Sequence, residues 1–350
     1  MTYLFLFLLQ CLVYYFVTVY KHKFIFYNYT DIQKSHKGFT PRVGGIIIIV
    51  MSYLYLIFLD SDTVLLETNI IIGSLLIFLI GLKEDLFGNT KPILRLVVIL
   101  FSSFLAIISF DSYPEINIPY FQELFNYRFF VIFFYTIGLS AFANAINLID
   151  GVNGLATLTI KSVIIGLIIL GFIGNELKYT NTLIILIMVN TSFLIFNFPF
   201  GKIFLGDTGA YWLGWITGIL LLKIFSNTND LQTWSALLLI SYPIIELIFS
   251  IIRKFLKDFS PFKADANHLH TKLYFLLTKQ ENNVLLNSLV TLCLMPLWFL
   301  PICLVPWIEK IPNLAFFAIL FQIILYGSYY LIIPNINKKI DNKVLNKKYL

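Results

Sequence analysis

Residues 129–148 read FFVIFFYTIGLSAFANAINL, twenty residues without a single charged side chain. An α-helix needs about twenty consecutive apolar residues to cross the hydrocarbon core of a lipid bilayer. The run leads directly into IDGVNG at 149–154, where two glycines allow the backbone to turn sharply as the helix ends. We therefore predict a transmembrane helix that brings a polar motif to one surface of the membrane.

Comparable apolar runs recur along the whole chain. Of its 350 residues 59% are hydrophobic and only 13% are charged, and the mean hydropathy is +0.84. An ordinary soluble domain carries about 25% charged residues, so a water-soluble globule is excluded. The sequence predicts an all-α polytopic membrane protein, with a single integral membrane domain over 1–350 and eleven transmembrane helices, or ten if the short run at 69–82 does not span. The runs lie at 3–20, 44–59, 69–82, 93–110, 129–148, 154–174, 181–198, 208–226, 234–254, 284–306 and 312–333.

The distribution of basic residues predicts the orientation of the chain. Of the 25 lysines and arginines, twenty lie in loops on the same side of the membrane as Lys21, three lie in loops on the opposite side and two lie within apolar runs. Cytoplasmic loops carry such an excess, so we predict an N-terminus outside and a cytoplasmic C-terminus. The formal net charge of +6 then reflects topology and contact with anionic lipid rather than with nucleic acid. The cytoplasmic segments are predicted near 21–43, 83–92, 149–153, 199–207 and 255–283.

Two further features narrow the class of protein. The first apolar run has no basic residue before it and no small-residue cleavage site, so we interpret it as a retained helix and not as a secretory signal. The three cysteines, Cys11, Cys293 and Cys303, all lie within apolar runs. Neither a disulfide framework nor a cysteine-rich metal site is therefore expected.

Polar residues concentrate in four of the predicted cytoplasmic segments. Four loops that are far apart in sequence thus each bring acidic or imidazole groups to one membrane face. The residues are Glu84 and Asp85 in GLKEDLFGN, Asn144, Asn147, Asp150 and Asn153 in NAINLIDGVNG, Asn197, Lys202 and Asp207 in NFPFGKIFLGDTG, and Asp265, His268 and His270 in ADANHLHTK.

The carboxylates of Glu84, Asp85 and Asp150 occupy positions that are electrostatically unusual. Each follows the C-terminus of a predicted helix, where the macrodipole disfavours a negative charge by about 0.3 to 1 kcal/mol. A cation should compensate, either a divalent metal or lysines gathered around a phosphate. The alternative is that Glu84 and Asp85 are interfacial residues paired with basic neighbours such as Lys91 and Arg95, and that Asp150 belongs to a polar helix terminus.

Two other segments contain groups that suit an anion. Lys202 lies in a short glycine-containing loop whose backbone N–H groups could hold a phosphate. Asp207, which follows it, either belongs to the same site or is the N-cap of the next helix. Arg42, Gly44 and Gly45 immediately precede the second apolar run, where they either allow close approach of an anion or mark the ordinary start of a helix.

His268 and His270 can serve one site only if their loop is not helical, because residues two apart point to opposite sides of a helix. General acid–base chemistry or phosphate contact fits them better than zinc binding, since no cysteine or HExxH pattern accompanies them. The alternative is a pair of solvated loop histidines. Glu246 is the one acid within an apolar run, so it is either functional or paired with a neighbouring helix.

Taken in order, these segments resemble the polyprenyl-phosphate N-acetylhexosamine-1-phosphate transferase family, glycosyltransferase family 4. Its members include phospho-N-acetylmuramoyl-pentapeptide translocase and the enzymes that begin O-antigen, enterobacterial common antigen and teichoic acid synthesis. The similarity covers residues from about 34 to 275. The segments that carry it are SHKGFTPRVGGI, GLKEDLFGNTKPILRL, NAINLIDGVNGLA, FNFPFGKIFLGDTGAYWLG and SPFKADANHLHTKL.

The resemblance implies transfer of a sugar 1-phosphate from a UDP-N-acetylamino sugar to undecaprenyl phosphate, which gives UMP and a lipid-pyrophosphoryl sugar. It implies Mg²⁺, with Mn²⁺ as a substitute, and a site on the cytoplasmic face of the bacterial inner membrane. The residues expected to be catalytic are Glu84, Asp85, Asp150, Asp207, His268 and His270, with Asp207 and Asp150 as metal ligands. Those expected to bind substrate are Arg42, Gly44, Gly45, Asn147, Asn153, Asn197 and Lys202.

Three positions depart from the family pattern. Glu84 stands where the family usually has an aspartate, Asn153 where many members have a second aspartate, and Thr271 where the last histidine of HxHH is usual. These differences favour a divergent branch that begins O-antigen or another surface polysaccharide.

Other classes fit the residues less well. A secondary transporter would place its polar groups near the bilayer midplane, whereas every cluster except Glu246 lies at the predicted inner boundary. A structural scaffold leaves the four polar clusters unexplained, and the paired aspartate motif of CDP-alcohol phosphotransferases is not found. Four points stay open: which amino sugar is used, which polymer is begun, whether transfer is direct or passes through a phospho-enzyme, and whether the protein forms a homodimer.

Overall fold

The computed structural model describes residues 2–21, 40–59, 66–116, 122–228, 231–258, 267–278, 285–311 and 313–348, with the single positions 260 and 283. Side chains are described as far as Pro334. Much of the predicted loops 21–43 and 255–283, including Asp265, lies outside these residues. The described helices are α1 (Thr2–Val19), α2 (Gly44–Phe58), α3 (Thr68–Phe87), α4 (Pro92–Ile108), α5 (Gln122–Phe125), α6 (Arg128–Ile149), α7 (Leu155–Ile173), α8 (Thr180–Asn197), α9 (Gly206–Ser226), α10 (Thr233–Leu239), α11 (Ser241–Phe255), α12 (Leu269–Thr278), α13 (Leu285–Cys293), α14 (Met295–Ile308) and α15 (Leu314–Lys348).

Every predicted apolar run is helical, which confirms the all-α polytopic architecture. Within the described ranges, six helices are long and apolar enough to cross a membrane, and eight spans result if each of two bent pairs crosses as one. The pairs are α10 with α11, bent by 72°, and α13 with α14, bent by 42°. The count of eleven and the orientation of the termini stay predictions.

Helix α9 is the centre of the bundle and is almost entirely buried. It packs against α2, α3, α6 and α7. Small residues allow this close packing, which matters where lipid supplies no hydrophobic drive between helices. A Cβ atom on Gly214 would come within 2.9 Å of Ala143 Cα on α6. The indole N–H of Trp212 also donates to Ser74 Oγ on α3 over 2.6 Å, so α9 is fixed in rotation as well as in position.

The outer helices present large apolar side chains outward. Phe5 of α1, Phe101 of α4 and Phe321 of α15 are each more than half exposed. In water such a surface would be an aggregation hazard. In a bilayer these side chains contact lipid, so the distribution of apolar residues agrees with a membrane protein.

Candidate active site

Asp85 is the residue that joins the end of α3 to the start of α9. One carboxylate oxygen accepts the backbone N–H of Asp207 over 2.9 Å. The other accepts the backbone N–H and the hydroxyl of Thr208, over 3.0 and 2.6 Å. Asp85 therefore caps α9 from another helix, where the dipole of α9 favours a negative charge. The N-terminus of α9 thus supplies part of the positive charge expected beside Asp85, but burial and the charge of Asp207 still raise the pKa of this carboxyl to about 7.

Three glycines make the cap possible. Gly206 has φ of +77°, and a Cβ there would lie 2.6 Å from a carboxylate oxygen of Asp85. A Cβ on Gly81 would lie 2.5 Å from Thr208 Cα, and one on Gly45 would lie 2.2 Å from the Gly209 nitrogen. The start of α9 is therefore held directly against the backbones of α2 and α3.

Asp207 lies in the first turn of α9, but it does not cap that helix. The N-cap position is Leu205, and the side-chain capping bonds come from Asp85. Asp207 Oδ2 instead accepts a hydrogen bond from Arg95 Nη1 over 2.7 Å. The alternative interpretation of Asp207 as its own helix's N-cap is thus wrong, and its carboxylate lies at the surface of the site.

Arg95 links two of the acidic residues, a larger part than that of the neutralising neighbour expected from the sequence. Its Nη1 atom lies 3.5 Å from Glu84 Oε1 as well as 2.7 Å from Asp207 Oδ2. The other oxygen of Glu84 accepts the N–H of Thr90 over 2.9 Å. Arg95 is the single charged residue of the otherwise apolar helix α4. Its isolation is the feature of the sequence that could have identified it as a functional residue.

Asp150 follows the last residue of α6 and shares the electrostatic field of the α9 cluster. Burial raises the pKa of its carboxyl to about 7; the Arg42 guanidinium opposes the shift, and the negative charges of Asp207 and Asp85 add to it. The motifs at 42, 85, 150 and 207 therefore meet at one end of the bundle, as their predicted placement on one membrane face requires.

The acidic residues fit a magnesium ion that substrate would help to hold. No three Asp, Glu, His or Cys side chains within the described residues converge closely enough to hold a metal by themselves. Mg²⁺, however, usually takes one or two protein carboxylates together with water and substrate phosphates. Asp150 and Asp207 carry carboxylate oxygens of the kind that such an ion takes, and burial is the main cause of the raised pKa of Asp150, with a smaller contribution from the charges of Asp207 and Asp85.

The side chain of Asn197 is engaged in hydrogen bonds within the protein. Its Oδ1 accepts the N–H of Gly154 over 2.7 Å, and its Nδ2 donates to the carbonyl of Ile203 over 2.8 Å. The side chain is buried and pins the loop after α6 to the loop before α9. Lys202, in that second loop, is exposed, with Nζ 5.9 Å from the centre of the Phe200 ring.

Asn153 is engaged in the same way, although the resemblance implies that it binds substrate. It is only 3% exposed, and its Nδ2 donates to the Pro199 carbonyl over 3.0 Å and contacts Ser288 Oγ at 3.3 Å. Its backbone N–H donates to Asn287 Oδ1 over 2.6 Å, and its carbonyl accepts the Thr291 hydroxyl over 2.7 Å. The amide therefore locks α13 to the loop after α6.

Gly44 and Gly45 use their backbone N–H groups for packing. These groups donate to the carbonyls of Phe204 and Leu205 over 3.0 and 2.8 Å. The expected close approach of an anion to these two glycines is therefore not offered by the structure. Arg42, just before them, acts at a distance through its charge on Asp150.

Asn147 presents its side chain near the same loop. It lies one turn before Asp150 and is half-buried, and no hydrogen bond to its amide is seen among the described residues. Asn144, one turn earlier, is different because its Nδ2 donates to the Ser140 carbonyl over 2.8 Å. Of the two, Asn147 is placed to contact a ligand.

His268 and His270 stack on each other beside the loop after α6. Their ring centres are 5.7 Å apart and the planes differ by 5°. Helix α12 begins between them, at Leu269, so the pair is brought to one side by the bend that precedes the helix. A Cβ on Gly151 would lie 2.2 Å from His270 Nε2. Burial and the neighbouring His268 lower the pKa of His270 to about 4, so it is neutral at pH 7.

Comparison with known proteins identifies a matching family and several relatives. Residues 68–225 match glycosyl transferase family 4. The chain is 25% identical over 242 residues, 69% of its length, to 67% of a probable undecaprenyl-phosphate N-acetylglucosaminyl 1-phosphate transferase of Bacillus subtilis. It is 28% identical over 256 residues, 73% of its length, to 75% of an undecaprenyl-phosphate alpha-N-acetylglucosaminyl 1-phosphate transferase of Thermotoga maritima.

A third relative has a higher percentage identity. Over 242 residues, 68% of this chain, the identity is 30% to a putative UDP-N-acetylglucosamine–dolichyl-phosphate N-acetylglucosaminephosphotransferase of Saccharolobus solfataricus, of which 73% is covered. The family match includes the α3 end, the loop after α6 and the start of α9, which are the elements that build the acidic cluster. The chain therefore belongs to glycosyl transferase family 4.

Proposed function

We propose that this protein transfers a sugar 1-phosphate from a UDP-N-acetylamino sugar to undecaprenyl phosphate, and so begins the synthesis of a cell-surface polysaccharide such as O-antigen. The observation that carries the proposal is the meeting of Asp150, Asp207, Arg42 and Arg95 at one end of α9. Relatives named for transfer of N-acetylglucosaminyl 1-phosphate to undecaprenyl phosphate support the substrate class.

The reaction brings together two anions. An oxygen of the acceptor phosphate attacks the phosphorus that carries the sugar, and the bond from that phosphorus to the bridging oxygen breaks. UMP leaves with the bridging oxygen, and the lipid-pyrophosphoryl sugar remains in the membrane. Because both partners are negatively charged, the chain must supply positive charge and fixed donors before attack can occur.

The residues divide this work by their chemistry. Arg42 and Lys202 provide cationic charge for the phosphates, and Arg95 fixes the position of the Asp207 carboxylate. Asn147 can donate to the donor substrate. The stacked His268 and His270 lie beside the loop of Asp150 and would contact the donor phosphate or sugar.

Mg²⁺, or Mn²⁺ in its place, is the proposed cofactor. Asp150 and Asp207 would hold it, and the ion would screen the charge on the donor pyrophosphate. Asp85 is not proposed as a ligand because hydrogen bonds from the start of α9 engage both of its oxygens. The catalytic role that the resemblance implies for Asp85 and Glu84 is replaced, in this proposal, by the placement of Asp207.

The site is proposed to face the cytoplasm, where UDP-sugars are made, with the lipid phosphate entering from the inner leaflet. The excess of basic residues in the loops on this side supports that orientation. A phosphate at the end of an undecaprenyl chain lies at the membrane surface. Reactive groups at helix ends suit it better than groups at the bilayer midplane.

The test is a reconstituted reaction. Purified protein, undecaprenyl phosphate and Mg²⁺ are incubated with a panel of UDP-sugars, and UMP release is measured together with the lipid product. UMP release that requires both the lipid phosphate and one UDP-N-acetylamino sugar is the expected result. No UMP release with any donor, together with movement of a labelled solute across vesicles, would favour a transporter instead.

A further inference from the structure

Glu246 is an acidic residue buried within the bundle, on α11, and the proposed reaction does not use it directly. Its side chain has no solvent exposure. Oε1 lies 3.0 Å from Nδ1 of His268 and 3.4 Å from the backbone nitrogen of Leu269, and Oε2 accepts the Tyr326 hydroxyl over 2.9 Å. A carboxylate in a membrane helix is costly unless it is bonded in this way, so its presence indicates a function.

Helix α11 holds the segment of His268 at two points. Glu246 and Arg253 are seven residues apart, two turns of helix, and therefore lie on one face. Arg253 Nη1 donates to the Asn267 carbonyl over 2.5 Å. Glu246 Oε1 contacts the next two residues, at His268 Nδ1 and at the backbone nitrogen of Leu269. The backbone on either side of His268 is thus fixed by α11, and Glu246 is the group that reaches the imidazole itself.

The contact with Glu246 determines which ring nitrogen of His268 carries hydrogen. An ionised carboxylate only accepts hydrogen bonds, so Nδ1 must be the donor. The two nitrogens of an imidazole point away from each other at a wide angle, so Nε2 is turned away from α11. The ring also stacks on His270, which lies against Gly151 in the loop of Asp150. The histidine stack therefore stands between α11 and the proposed site.

We propose that Glu246 is a positioning residue for the transfer reaction. From inside the membrane bundle it fixes the orientation of His268 and keeps the proton on Nδ1, so that Nε2 is the nitrogen presented on the side away from α11. Tyr326 holds the second oxygen of Glu246 and so fixes the carboxylate. The role assigned to His268 rests on the proposed function, whereas the state of its ring can be measured separately.

The first test reads the imidazole directly. The chain has four histidines, His22, His36, His268 and His270, so ¹⁵N-histidine labelling gives few signals. Spectra of the full chain in nanodiscs are recorded at about pH 8.5, where an ordinary imidazole of pKa about 6.5 is neutral. His268→Gln assigns the signal. We expect protonated Nδ1 in the wild type and a population with protonated Nε2 in Glu246→Gln, whose amide cannot accept from both His268 and Tyr326. Identical ring states in the two proteins would overturn the proposal.

The second test reads turnover. Glu246→Gln should lower the rate of UMP release at least tenfold at saturating substrate, with the donor KM changed less than threefold. Tyr326→Phe removes one hydrogen bond to the Glu246 carboxylate and should give a smaller loss of turnover. It replaces Glu246→Gln as the test variant if that protein does not fold. The matched control is Glu67→Gln, which removes the acid of the Lys223 ion pair (3.1 Å) and should leave turnover within twofold.

The outcomes separate the two proposals. If the wild type releases no UMP from any donor, the proposed function fails, and the ring state of His268 still decides the role of Glu246. If the wild type is active and Glu246→Gln is equally active when folded, the positioning role fails while the proposed function stands.

Discussion

At the level of single residues, two neighbouring aspartates divide the work at the start of α9. Asp85 accepts three hydrogen bonds and caps the helix, whereas Asp207 is held by Arg95. A carboxylate that accepts from backbone N–H groups with both oxygens is mainly a structural group. Asp207 is then the residue that points to the reaction. Its position is fixed by Arg95, which also contacts Glu84.

This division predicts different consequences for Asp207→Asn and Asp85→Asn. Asp207→Asn keeps an oxygen for Arg95 and leaves the cap intact, so the thermal stability of the purified protein should change little. Loss of a charge that organises the phosphates should lower UMP release by about three orders of magnitude, since each 1.36 kcal/mol is roughly tenfold in rate.

Asp85→Asn should instead lower stability by about 1 to 2 kcal/mol, because an amide nitrogen cannot accept from the start of α9. Near-normal turnover of folded Asp207→Asn would remove that residue from the site.

The raised pKa of Asp150 predicts how the need for metal depends on pH. With a pKa of about 7, the carboxyl is mostly neutral below pH 7 and mostly charged above it. A metal ligand must be deprotonated, so binding at low pH has to displace the proton. The Mg²⁺ concentration for half-maximal UMP release should therefore rise by roughly fivefold between pH 7 and pH 6, and change little between pH 8 and pH 9.

The control is a measurement of donor binding at each pH without metal, which separates substrate protonation from the carboxyl. A magnesium requirement that does not vary from pH 6 to pH 8 would show that Asp150 is not a ligand.

At the level of elements, the contact between α2 and α9 depends on two facing glycines. A Cβ on Gly45 would lie 2.2 Å from the backbone nitrogen of Gly209, and backbone cannot move aside as a flexible side chain can. Gly45→Ala should therefore force α9 away from α2 and destabilise the protein by about 1 to 3 kcal/mol. The start of α9 carries Asp207, so turnover of the remaining folded protein should fall too.

Gly138→Ala is the matched control for this substitution. It lies on α6, and nothing lies within 4 Å of the position that its Cβ would take among the described residues. A methyl group there meets no neighbour and slightly favours the helix, by up to about 1 kcal/mol. Melting temperatures of both variants, measured in the same detergent, test the predicted difference in stability. Equal stability of Gly45→Ala and the wild type would show that α2 and α9 do not pack as described.

The helices themselves were predictable, whereas their breaks were missed for an identifiable reason. The apolar runs mark most of the helices to within about five residues, but α5 and α12 lie outside them and α15 continues to Lys348, beyond the predicted end at 333. The bends at Ile240 and Leu294 lie three and two residues before Pro243 and Pro296. A proline lacks the N–H for the helical bond and clashes with the preceding turn. Run length alone therefore predicted one straight helix at each of these two places, and proline alone does not settle the matter, because Pro301 and Pro306 lie inside α14 without breaking it.

At the level of the whole molecule, sequence placed the right segments at one end of the bundle but could not assign their contacts. Charge asymmetry and helix length brought residues 85, 150, 207 and 270 to one face. Contacts such as the bond between Glu246 and His268 join residues 22 apart in sequence through packing of α11. No local pattern contains that information, although Tyr242, Glu246, Ser250 and Arg253 form a polar stripe at helical spacing that marks a buried face.

The orientation in the membrane can be tested with α8 alone. This helix has 18 residues and is therefore about 27 Å long, close to the thickness of the hydrocarbon core. Lys178 precedes it and Lys202 follows it, and both side chains are exposed. If α8 spans the bilayer, the two lysines lie on opposite sides. The positive-inside pattern then puts Lys202 in the cytoplasm with the acidic cluster.

Single cysteines at these two positions give the measurement, in a chain whose Cys11, Cys293 and Cys303 have been replaced by serine or alanine. A membrane-impermeant maleimide added to intact cells should label Lys178→Cys and leave Lys202→Cys unlabelled until the membrane is permeabilised. UMP release by Lys178→Cys and the melting temperature of Lys202→Cys in detergent show that each labelled protein is folded, because Lys202 itself is proposed to contact the phosphates. Labelling of Lys202→Cys from outside would put the loop of Asp207 on the wrong side for a cytoplasmic UDP-sugar, because that loop and the start of α9 are continuous. The proposed donor would then be excluded even if the acidic cluster were catalytic.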